Sequence, residues 1–307
     1  MENRRGRKKF TPGPDFKSGY VILLGRPNVG KSTLLNAIMG EDLAIVTPKP
    51  QTTRSRILGI HTTPARQIIF MDAPGVVESE HGLNAYLKRE VQAGLQDADV
   101  IVFVIDAAAG LVGSELEIVE RLKKLNRPVV LAINKIDTLQ KDRLLPLIDR
   151  CRNTFPFHAI VPISARDDDG VDRLIDEAGA ALAPGPLYFP PDQITSSTER
   201  FLVGEMVREQ VFLKTKQEIP YSSAVLVEVF RDDGKLLHIT AAVFVERDSQ
   251  KGILIGRDGA MLKAIGTAAR AKIEAFLGKQ VFLELVVRVK KDWTRSESLL
   301  RAMGYSG

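Results

Sequence analysis

The chain has 307 residues, of which 44% are hydrophobic and 26% are charged, and its formal net charge is +5. This length exceeds what one hydrophobic core usually supports, so two domains are expected. Its apolar runs fall short of the ~18 residues that a membrane span requires, and its single cysteine, Cys151, excludes an intramolecular disulfide and suits a reducing cytoplasm.

Charge is unevenly distributed along the chain. Residues 1–17 carry six Lys/Arg against two acidic residues, and residues 251–307 carry eleven against five, so the stretch between them is net acidic. Basic ends favour contact with polyanions such as RNA or anionic lipid. A solvated surface is the alternative, and for residues 1–17 a disordered, solubilising tail is the favoured interpretation.

Short apolar runs alternate with helix-compatible stretches from about Tyr20 to Ala183. This alternation predicts an α/β domain, a mostly parallel sheet with helices on both faces. Ligands of such sheets bind at the carboxyl ends of the strands. The predicted strands are 20–24, 57–61, 67–71, 100–105, 129–133 and 159–163, and the predicted helices are 33–39, 84–95, 116–125, 143–153 and 171–183.

A proline-rich stretch, residues 184–200, precedes a different pattern. Its four prolines and small polar residues break both periodicities and predict a linker. Beyond it the order helix, two strands, two helical segments and a last strand predicts a small α+β domain. The expected organisation is a basic N-terminal tail (1–17), the α/β domain (18–183), the linker (184–200), the α+β domain (201–290) and a C-terminal segment (291–307).

The strongest local signal is GRPNVGKS at residues 25–32, which fits the phosphate-binding pattern G-x-x-x-x-G-K-S. Its glycines let backbone N–H groups point at phosphate oxygens, and the following helix directs its positive dipole end at the same anion. We expect Lys31 to contact the outer phosphates and the Ser32 hydroxyl to ligate Mg²⁺. The predicted nucleotide contacts here are Gly25, Arg26, Pro27, Asn28, Val29, Gly30, Lys31, Ser32 and Thr33.

A second phosphate-side element is the sequence Asp72-Ala73-Pro74-Gly75, which follows a predicted strand. We expect Asp72 to hold Mg²⁺ through water and the Gly75 backbone N–H to contact the γ-phosphate. The next residue, Val76, cannot hydrogen-bond an attacking water with its side chain. Intrinsic hydrolysis is therefore expected to be slow, or to draw its charge stabilisation from elsewhere. The segment is also typical of an ordinary proline–glycine turn.

Guanine recognition is predicted from Asn134-Lys135-Ile136-Asp137, which follows the strand 129–133. A carboxylate such as Asp137 can accept from guanine N1–H and from the exocyclic amine, whereas adenine would leave it unpaired. The stretch Ser164-Ala165-Arg166, which closes another strand, is expected to support the base through backbone contacts. These four-residue patterns are weak alone and become strong downstream of a phosphate-binding loop.

The segment Gln51-Thr52-Thr53-Arg54 lies between the phosphate-loop helix and the next strand. A threonine at this place completes the Mg²⁺ shell while GTP is present and is released after hydrolysis. We favour Thr53 for this role, because Thr52 fits an ordinary polar loop equally well.

In the second domain, Gly256-Arg257-Asp258-Gly259 joins two helical segments. Glycines allow close approach of a nucleic-acid backbone, and Arg257 adds a cation. A helix–helix turn is the alternative for so short a motif, with Asp258 as a cap of the next helix. Expected RNA contacts are Gly256, Arg257, Gly259, Lys263, Lys290 and Lys291. Trp293 fits base stacking or burial about equally well.

The combination GRPNVGKST, QTTRSR, DAPG, NKID, SAR and GRDG resembles the Era family of bacterial GTPases over nearly the whole chain, from about Tyr20 to Tyr305. The resemblance implies a P-loop GTPase domain followed by a type II KH domain. It implies GTP hydrolysis, binding of single-stranded RNA near the 3′ end of small-subunit ribosomal RNA, and help in maturation of that subunit. It also implies a cytoplasmic protein that is loosely associated with the inner face of the membrane.

The resemblance to this family also implies a potassium site. Related GTPases with asparagine at the position of Asn28 hold K⁺ near the β- and γ-phosphates, where Thr52 could help enclose it. Lys31, Asn28, Thr53 and Gly75 are accordingly the expected catalytic residues. Two alternative functions stay open. The first is a tRNA-modification GTPase, which is disfavoured because those proteins carry a large N-terminal region where this chain offers a short tail. The second is an RNA chaperone that binds GTP without hydrolysing it. The scattered histidines show no ligand spacing, so Mg²⁺ and K⁺ are the only metals expected.

Overall fold

A computed structural model describes residues 10–75, 81–216 and 218–305. The chain divides into two compact units that are not contiguous in sequence. The first unit draws on Met1–Leu43, Arg56–Val76 and Val91–Ser196, and the second on Ala44–Ser55, Val77–Glu90 and Ser197–Gly307. Two stretches expected within the α/β domain, 44–55 and 77–90, therefore group with the second unit.

The first unit is built on a six-stranded sheet in the order β2-β3-β1-β4-β5-β6. Every neighbouring pair is parallel except β2 and β3, which are antiparallel. The predicted, mostly parallel sheet is thus confirmed. Its strands are β1 (Lys17–Leu24), β2 (Ile57–Thr63), β3 (Arg66–Asp72), β4 (Val100–Asp106), β5 (Val129–Asn134) and β6 (Ala159–Pro162).

Six of the ten helix ends in the first half lie one or two residues beyond the predicted ends, and the third helix ends at Leu122, three residues before the predicted end. These helices are α1 (Lys31–Met39), α2 (Gly82–Asp97), α3 (Ser114–Leu122), α4 (Lys141–Thr154) and α5 (Val171–Ala180). Helix α5 ends earlier than the predicted 183, and the boundary between the two units falls inside α2. Cys151 is buried in α4, where it packs in the core as expected.

The first core lies around the central strands. Residues Val100–Ile105 of β4 and all of β5 are buried. Such continuous apolar runs, rather than alternation, are what a strand covered on both faces requires. Strand ends therefore carry the polar residues, and Asp72, Asp106 and Asn134 are the last residues of β3, β4 and β5.

The predicted linker is fixed to the first unit over much of its length. Gln67 in β3 accepts from the backbone N–H groups of Tyr188 (2.8 Å) and Phe189 (3.0 Å) and donates to Phe189 O (2.9 Å). Farther on, Ile60 N donates to Ile194 O at 2.8 Å. One buried glutamine therefore satisfies two backbone donors and one backbone acceptor of the proline-rich segment.

The second unit contains a three-stranded sheet in the order β7-β8-β9, in which β7–β8 is antiparallel and β8–β9 is parallel. Helices α6 and α9 pack with it around one apolar core. Among the described residues, no helix combines the length and apolarity needed to cross a membrane. The elements are α6 (Glu199–Lys214), α7 (Ile219–Ser222), β7 (Ala224–Asp232), β8 (Leu237–Val245), α8 (Asp248–Ile255), α9 (Ala260–Leu277), β9 (Val281–Val289) and α10 (Glu297–Ala302).

The C-terminal segment, expected to follow the domain, contributes to a second core of this unit. Trp293 is fully buried, and its indole N–H donates to Ser222 O at 2.9 Å. The indole stacks on Tyr305 with ring centroids 5.9 Å apart. Base stacking by Trp293 is therefore wrong, because the ring is already used inside the fold. The short helices α7 and α10 were not predicted.

Candidate nucleotide site and RNA-binding loop

The phosphate loop connects β1 to α1 and passes close to the end of β5. Gly30 has φ +97°, and a Cβ there would lie 2.3 Å from Asn134 Nδ2. The amide of Asn134 donates to Val29 O at 2.8 Å. Glycine is thus required at position 30 both by backbone conformation and by the approach of a neighbouring side chain.

Lys31 is buried at the start of α1. Its Nζ donates to Gly25 O at 3.0 Å and to Arg26 O at 2.9 Å, so the loop wraps around the ammonium group. Burial lowers the pKa of Lys31 to about 8, and the nearby carboxylate of Asp72 opposes that shift. An anion in this loop would therefore meet a cation that water screens little.

The two predicted Mg²⁺ ligands of the first unit are brought together. Ser32 Oγ donates to Asp72 Oδ2 at 2.7 Å, and the carboxyl group lies at the end of β3. A hydroxyl and a carboxylate are the hard oxygen donors that Mg²⁺ prefers, with phosphates and waters filling the remaining positions. The donor set therefore fits the ion.

Gly75 lies against the phosphate loop. A Cβ on it would be 2.7 Å from Pro27 Cγ and 2.8 Å from Pro27 N, closer than side chains tolerate. The segment after β3 therefore keeps its backbone beside the loop, as a backbone N–H contact to a γ-phosphate requires. Val76 lies outside the described residues.

Asn134 ties together three loops of the site. Besides its bond to Val29 O, its Oδ1 accepts from Lys135 N at 2.8 Å and from Ala165 N at 3.0 Å. It is 2% exposed, and its bonds to Val29 and Ala165 are buried. The sequence placed Asn134 among the nucleotide contacts, and the structure adds that it fixes the phosphate loop relative to the base-side loops.

The carboxylate of Asp137 is held on both oxygens. Its Oδ1 accepts from Ser164 Oγ at 2.7 Å, and its Oδ2 lies 3.0 Å from Arg166 NH2. The side chain of Ser164 thus fixes the carboxylate of Asp137. The expected backbone contacts of this stretch with the base stay a prediction. Arg166 belongs to the stretch 164–166 that was expected to support the base through its backbone, but its side-chain contact with Asp137 was not predicted.

Lys135 completes the base side of the site. It has φ +65°, and its Nζ donates to Asn28 O at 2.7 Å and to Asp106 Oδ2 at 2.8 Å. Asp106, at the end of β4, was missed, although strand-terminal carboxylates at this edge are typical of ligand sites. A further unpredicted pair joins Arg26 NH1 to the buried Glu115 at 3.1 Å.

Thr53 belongs to the stretch Ala44–Ser55, which groups with the second unit. It is buried, at 6% exposure. Its expected part in the Mg²⁺ shell stays a prediction. The backbone carbonyl of the preceding residue, Thr52, accepts from Arg208 NH2 at 2.5 Å.

The GxxG loop lies between α8 and α9, as expected. Gly256 and Gly259 have φ +74° and +76°, and Asp258 also has a positive φ of +52°. The N-cap of α9 is Gly259, with no side-chain hydrogen bond, so the idea that Asp258 caps this helix is wrong. The predicted RNA-contacting cations are all exposed: Arg257, Lys263, Lys290 and Lys291. Their contact with RNA stays a prediction.

Comparisons with known proteins agree with this geometry. A family described as "50S ribosome-binding GTPase" matches residues 20–135, and one described as "KH domain" matches residues 218–294. GTPase Era of Geobacter metallireducens is 48% identical over 293 residues, covering 95% of this chain and 98% of the relative. GTPase Era of Syntrophus aciditrophicus is 47% identical over 293 residues, covering 95% and 96%.

Solved structures give the same result. An Era complex with MgGDPNP and nucleotides 1506–1542 of 16S ribosomal RNA has a TM-score of 0.91 at 40% identity, covering 95% of this chain and all of that one. A variant of Aquifex aeolicus Era bound to GDP·AlF4⁻ matches equally well, with a TM-score of 0.91 at 40% identity and the same coverage. With relatives and solved structures of this identity covering 95% of its length, this chain belongs to the Era family of GTPases.

Proposed function

We propose that this chain binds GTP with Mg²⁺, hydrolyses it to GDP and phosphate, and uses that cycle to control binding of small-subunit ribosomal RNA. The observation that carries the guanine assignment is the geometry of Asp137. Ser164 and Arg166 hold its carboxylate at the base end of a site whose other end is the phosphate loop. A guanine that displaced Arg166 would offer two N–H donors to the same oxygens.

In this proposal the chemistry is phosphoryl transfer to water. The protein contributes position and charge rather than a covalent intermediate. Lys31 and the loop N–H groups neutralise charge on the phosphates, and the Gly75 N–H contacts the γ-phosphate. Ser32, Asp72 and Thr53 would hold Mg²⁺, which supplies further positive charge when bound.

Potassium is the proposed source of the charge stabilisation that Val76 does not provide. Asn28 sits in the phosphate loop with φ +65°, and its carbonyl is fixed by Lys135. Its side-chain amide oxygen is the kind of neutral ligand that K⁺ accepts. Asn28 and Thr52 are the residues proposed to hold the ion beside the β- and γ-phosphates.

For the second unit we propose binding of single-stranded RNA from the 3′ end of small-subunit ribosomal RNA, in support of maturation of that subunit. The exposed Arg257 within a glycine loop of positive φ supports this, since phosphates can approach the backbone closely there, and further exposed lysines lie in the same unit. The proposed contacts are Gly256, Arg257, Gly259, Lys263, Lys290 and Lys291.

We further propose that the protein works in the cytoplasm and touches the inner face of the membrane weakly. The basic stretch 1–17 motivates the second part, because clustered Lys/Arg side chains are attracted to anionic lipid. Co-sedimentation with anionic and with neutral vesicles tests it. Equal binding to both would remove the electrostatic basis.

Substitution of Asp137 tests the base-reading role. Asp137→Asn should weaken GTP binding by a factor of about 100 or more, because an amide cannot accept from both guanine donors. The same variant should gain affinity for xanthosine triphosphate. Asp167→Asn is the matched control, since Asp167 pairs with the same Arg166 but is exposed. Unchanged GTP affinity in Asp137→Asn would refute the assignment.

A further inference from the structure

The QTTR stretch, residues 51–54, carries a side chain that the GTP site does not use. The stretch Ala44–Ser55 follows α1 in the chain and precedes β2, yet it packs within the second unit. Both of its chain neighbours, Leu43 and Arg56, belong to the first unit. A segment that contains a predicted Mg²⁺ ligand is thus structurally part of the RNA-binding unit.

Arg54 is the main anchor of this segment. It is 3% exposed. Its NH1 donates to Ser223 O at 2.7 Å and to Tyr305 Oη at 3.1 Å, and its NH2 donates to Pro220 O and Tyr221 O, both at 3.0 Å. Three backbone carbonyls and a phenol oxygen therefore converge on one guanidinium. Only a planar, forked donor reaches all four, so lysine cannot replace it.

Aromatic rings complete the pocket. The Cζ atom of Arg54 lies 5.9 Å from the centroid of Phe212 and 5.8 Å from those of Trp293 and Tyr305. Burial lowers the pKa of Arg54, and Tyr305 opposes that shift. The four hydrogen bonds of Arg54 described above all go to neutral oxygens. These acceptors and the faces of the three rings therefore stabilise its buried positive charge.

A second buried arginine holds the residue before Thr53. Arg208 on α6 donates from NH2 to Thr52 O at 2.5 Å and pairs with Glu205. Its Cζ lies 5.4 Å from the centroid of Phe212, the ring that also faces Arg54. Thr53 is therefore flanked on both sides by residues that buried guanidinium groups fix to α6 and α7.

The same segment is linked to the helix that follows the GxxG loop. Glu209 on α6 accepts from Val46 N at 3.2 Å and from Lys272 Nζ at 2.8 Å. Lys272 lies on α9, whose N-cap is Gly259. Three elements share one buried carboxylate: the segment with Thr53, the first helix of the RNA-binding unit, and the helix that begins at the RNA loop.

We propose that Arg54 is a positioning residue for GTP hydrolysis, which fixes the Thr53 segment on the RNA-binding unit and thereby links the nucleotide state to RNA affinity. This inference rests on the proposed function. If the conformation of the Thr53 segment depends on the bound nucleotide, the packing of α6 and α9 against that segment depends on it too. Bound RNA then alters the conformation of the segment in return, because coupling between two binding sites is reciprocal. Arg54 touches no reacting atom; it acts through Thr53.

The test uses the full chain with Arg54→Lys, Tyr305→Phe and the control Arg56→Lys. Arg56 lies two residues away and forms an ion pair with Asp97 in the first unit, 2.7 Å apart. Turnover of GTP is measured with its kcat and KM. RNA affinity is measured in GDP and in a non-hydrolysable GTP analogue, with an oligonucleotide copying the 3′ end of small-subunit ribosomal RNA.

For Arg54→Lys we expect kcat to fall about tenfold, which corresponds to one misplaced contact in the transition state, with GTP KM within about threefold of the parent. The difference in RNA affinity between the two nucleotide states should shrink towards one. Tyr305→Phe removes one of four acceptors and should show the same changes, but smaller. Arg56→Lys should match the parent in every reading.

Parent-like kcat and parent-like nucleotide dependence of RNA affinity in Arg54→Lys would overturn the inference. If Arg54→Lys does not fold, Tyr305→Phe is measured instead, and a parent-like kcat with parent-like nucleotide dependence of RNA affinity in that variant would overturn the inference. Failure of the proposed function looks different, because then the unsubstituted chain itself would not hydrolyse GTP, or would bind the RNA equally in both nucleotide states.

Discussion

Ser32 Oγ and Asp72 Oδ2 lie 2.7 Å apart, one at the start of α1 and the other at the end of β3. Two side chains that we propose as Mg²⁺ ligands, from distant parts of the sequence, are therefore already in contact within the fold. The hydrogen bond orients both groups before the ion arrives, which reduces the ordering cost of binding it.

Removing the hydroxyl should uncouple GTP binding from Mg²⁺. In Ser32→Ala we expect GTP affinity in Mg²⁺ to fall by about tenfold or more, since one ligand and the orienting bond to Asp72 are lost. Titration in EDTA is the internal control and should give parent-like affinity. An equal loss in both buffers would show that Ser32 shapes the loop rather than the metal site.

Nucleotide affinity should depend on pH through Lys31. Its folded-state pKa is lowered from 10.5 to about 8, so in the nucleotide-free chain the ammonium group loses its proton above that pH. Phosphate requires the charged form, and affinity should therefore fall above pH 8, approaching about tenfold per pH unit. Calorimetric titration of GDP from pH 7 to 9.5 measures this. Constant affinity over that range would contradict the buried, deprotonatable lysine.

The same shift has a defined sign for stability. Between pH 8 and 10.5 the unfolded chain binds more protons at Lys31 than the folded chain does. Burial of the charged Lys31 side chain therefore lowers the free energy of unfolding by its full amount below pH 8. The free energy of unfolding should rise between pH 8 and 10.5, as the folded chain loses this proton before the unfolded chain does. Bound phosphate should abolish the effect by keeping the ammonium protonated.

Hydrolysis should respond to the choice of monovalent cation. We expect faster turnover of GTP in K⁺ than in Na⁺ at equal ionic strength, because Asn28 is proposed to hold K⁺ beside the phosphates. The charge of that ion would compensate for the hydrogen bond to the attacking water that Val76 cannot form. Phosphate release measures the rate. Asn28→Ala should hydrolyse GTP equally slowly in both salts. Identical rates for the parent chain in K⁺ and Na⁺ would discard the potassium proposal.

A charge in the GxxG loop should abolish RNA binding and leave the GTP site intact. Gly259→Asp places a carboxylate where phosphates approach, at a residue with φ +76°. Gly278→Asp is a matched control, because Gly278 ends the same helix with φ +62° and open space around it. Both substitutions carry similar backbone strain. RNA affinity that falls equally in both variants would show that strain, not loop charge, is responsible.

The phosphate side of the site could be predicted from sequence because its signals are local. Gly25 to Ser32 encode a loop, and the adjoining β1 and α1 follow from apolar periodicity, so position and role arrive together. The positions of Asp72 and Asp137 could be predicted for the same reason, since Asp72 ends a buried strand and Asp137 follows one, while their roles stay predictions.

Contacts that depend on tertiary packing could not be read in this way. Arg166 reaches Asp137 only because β5 and β6 are neighbours. Nothing in the local sequence marks Arg54 as a buried residue. The carbonyls and the Trp293 ring that surround its guanidinium lie more than 150 positions away in the sequence. The grouping of 44–55 with the second unit was missed because chain continuity suggested one contiguous domain.

The central claim is that one pocket joins a phosphate cradle to a carboxylate suited to guanine. Calorimetric titration of the purified chain with GTP and with ATP, both in Mg²⁺, tests it most directly. The account predicts GTP affinity at least about 100-fold tighter than ATP affinity. Equal affinities, or heat from neither nucleotide, would contradict it.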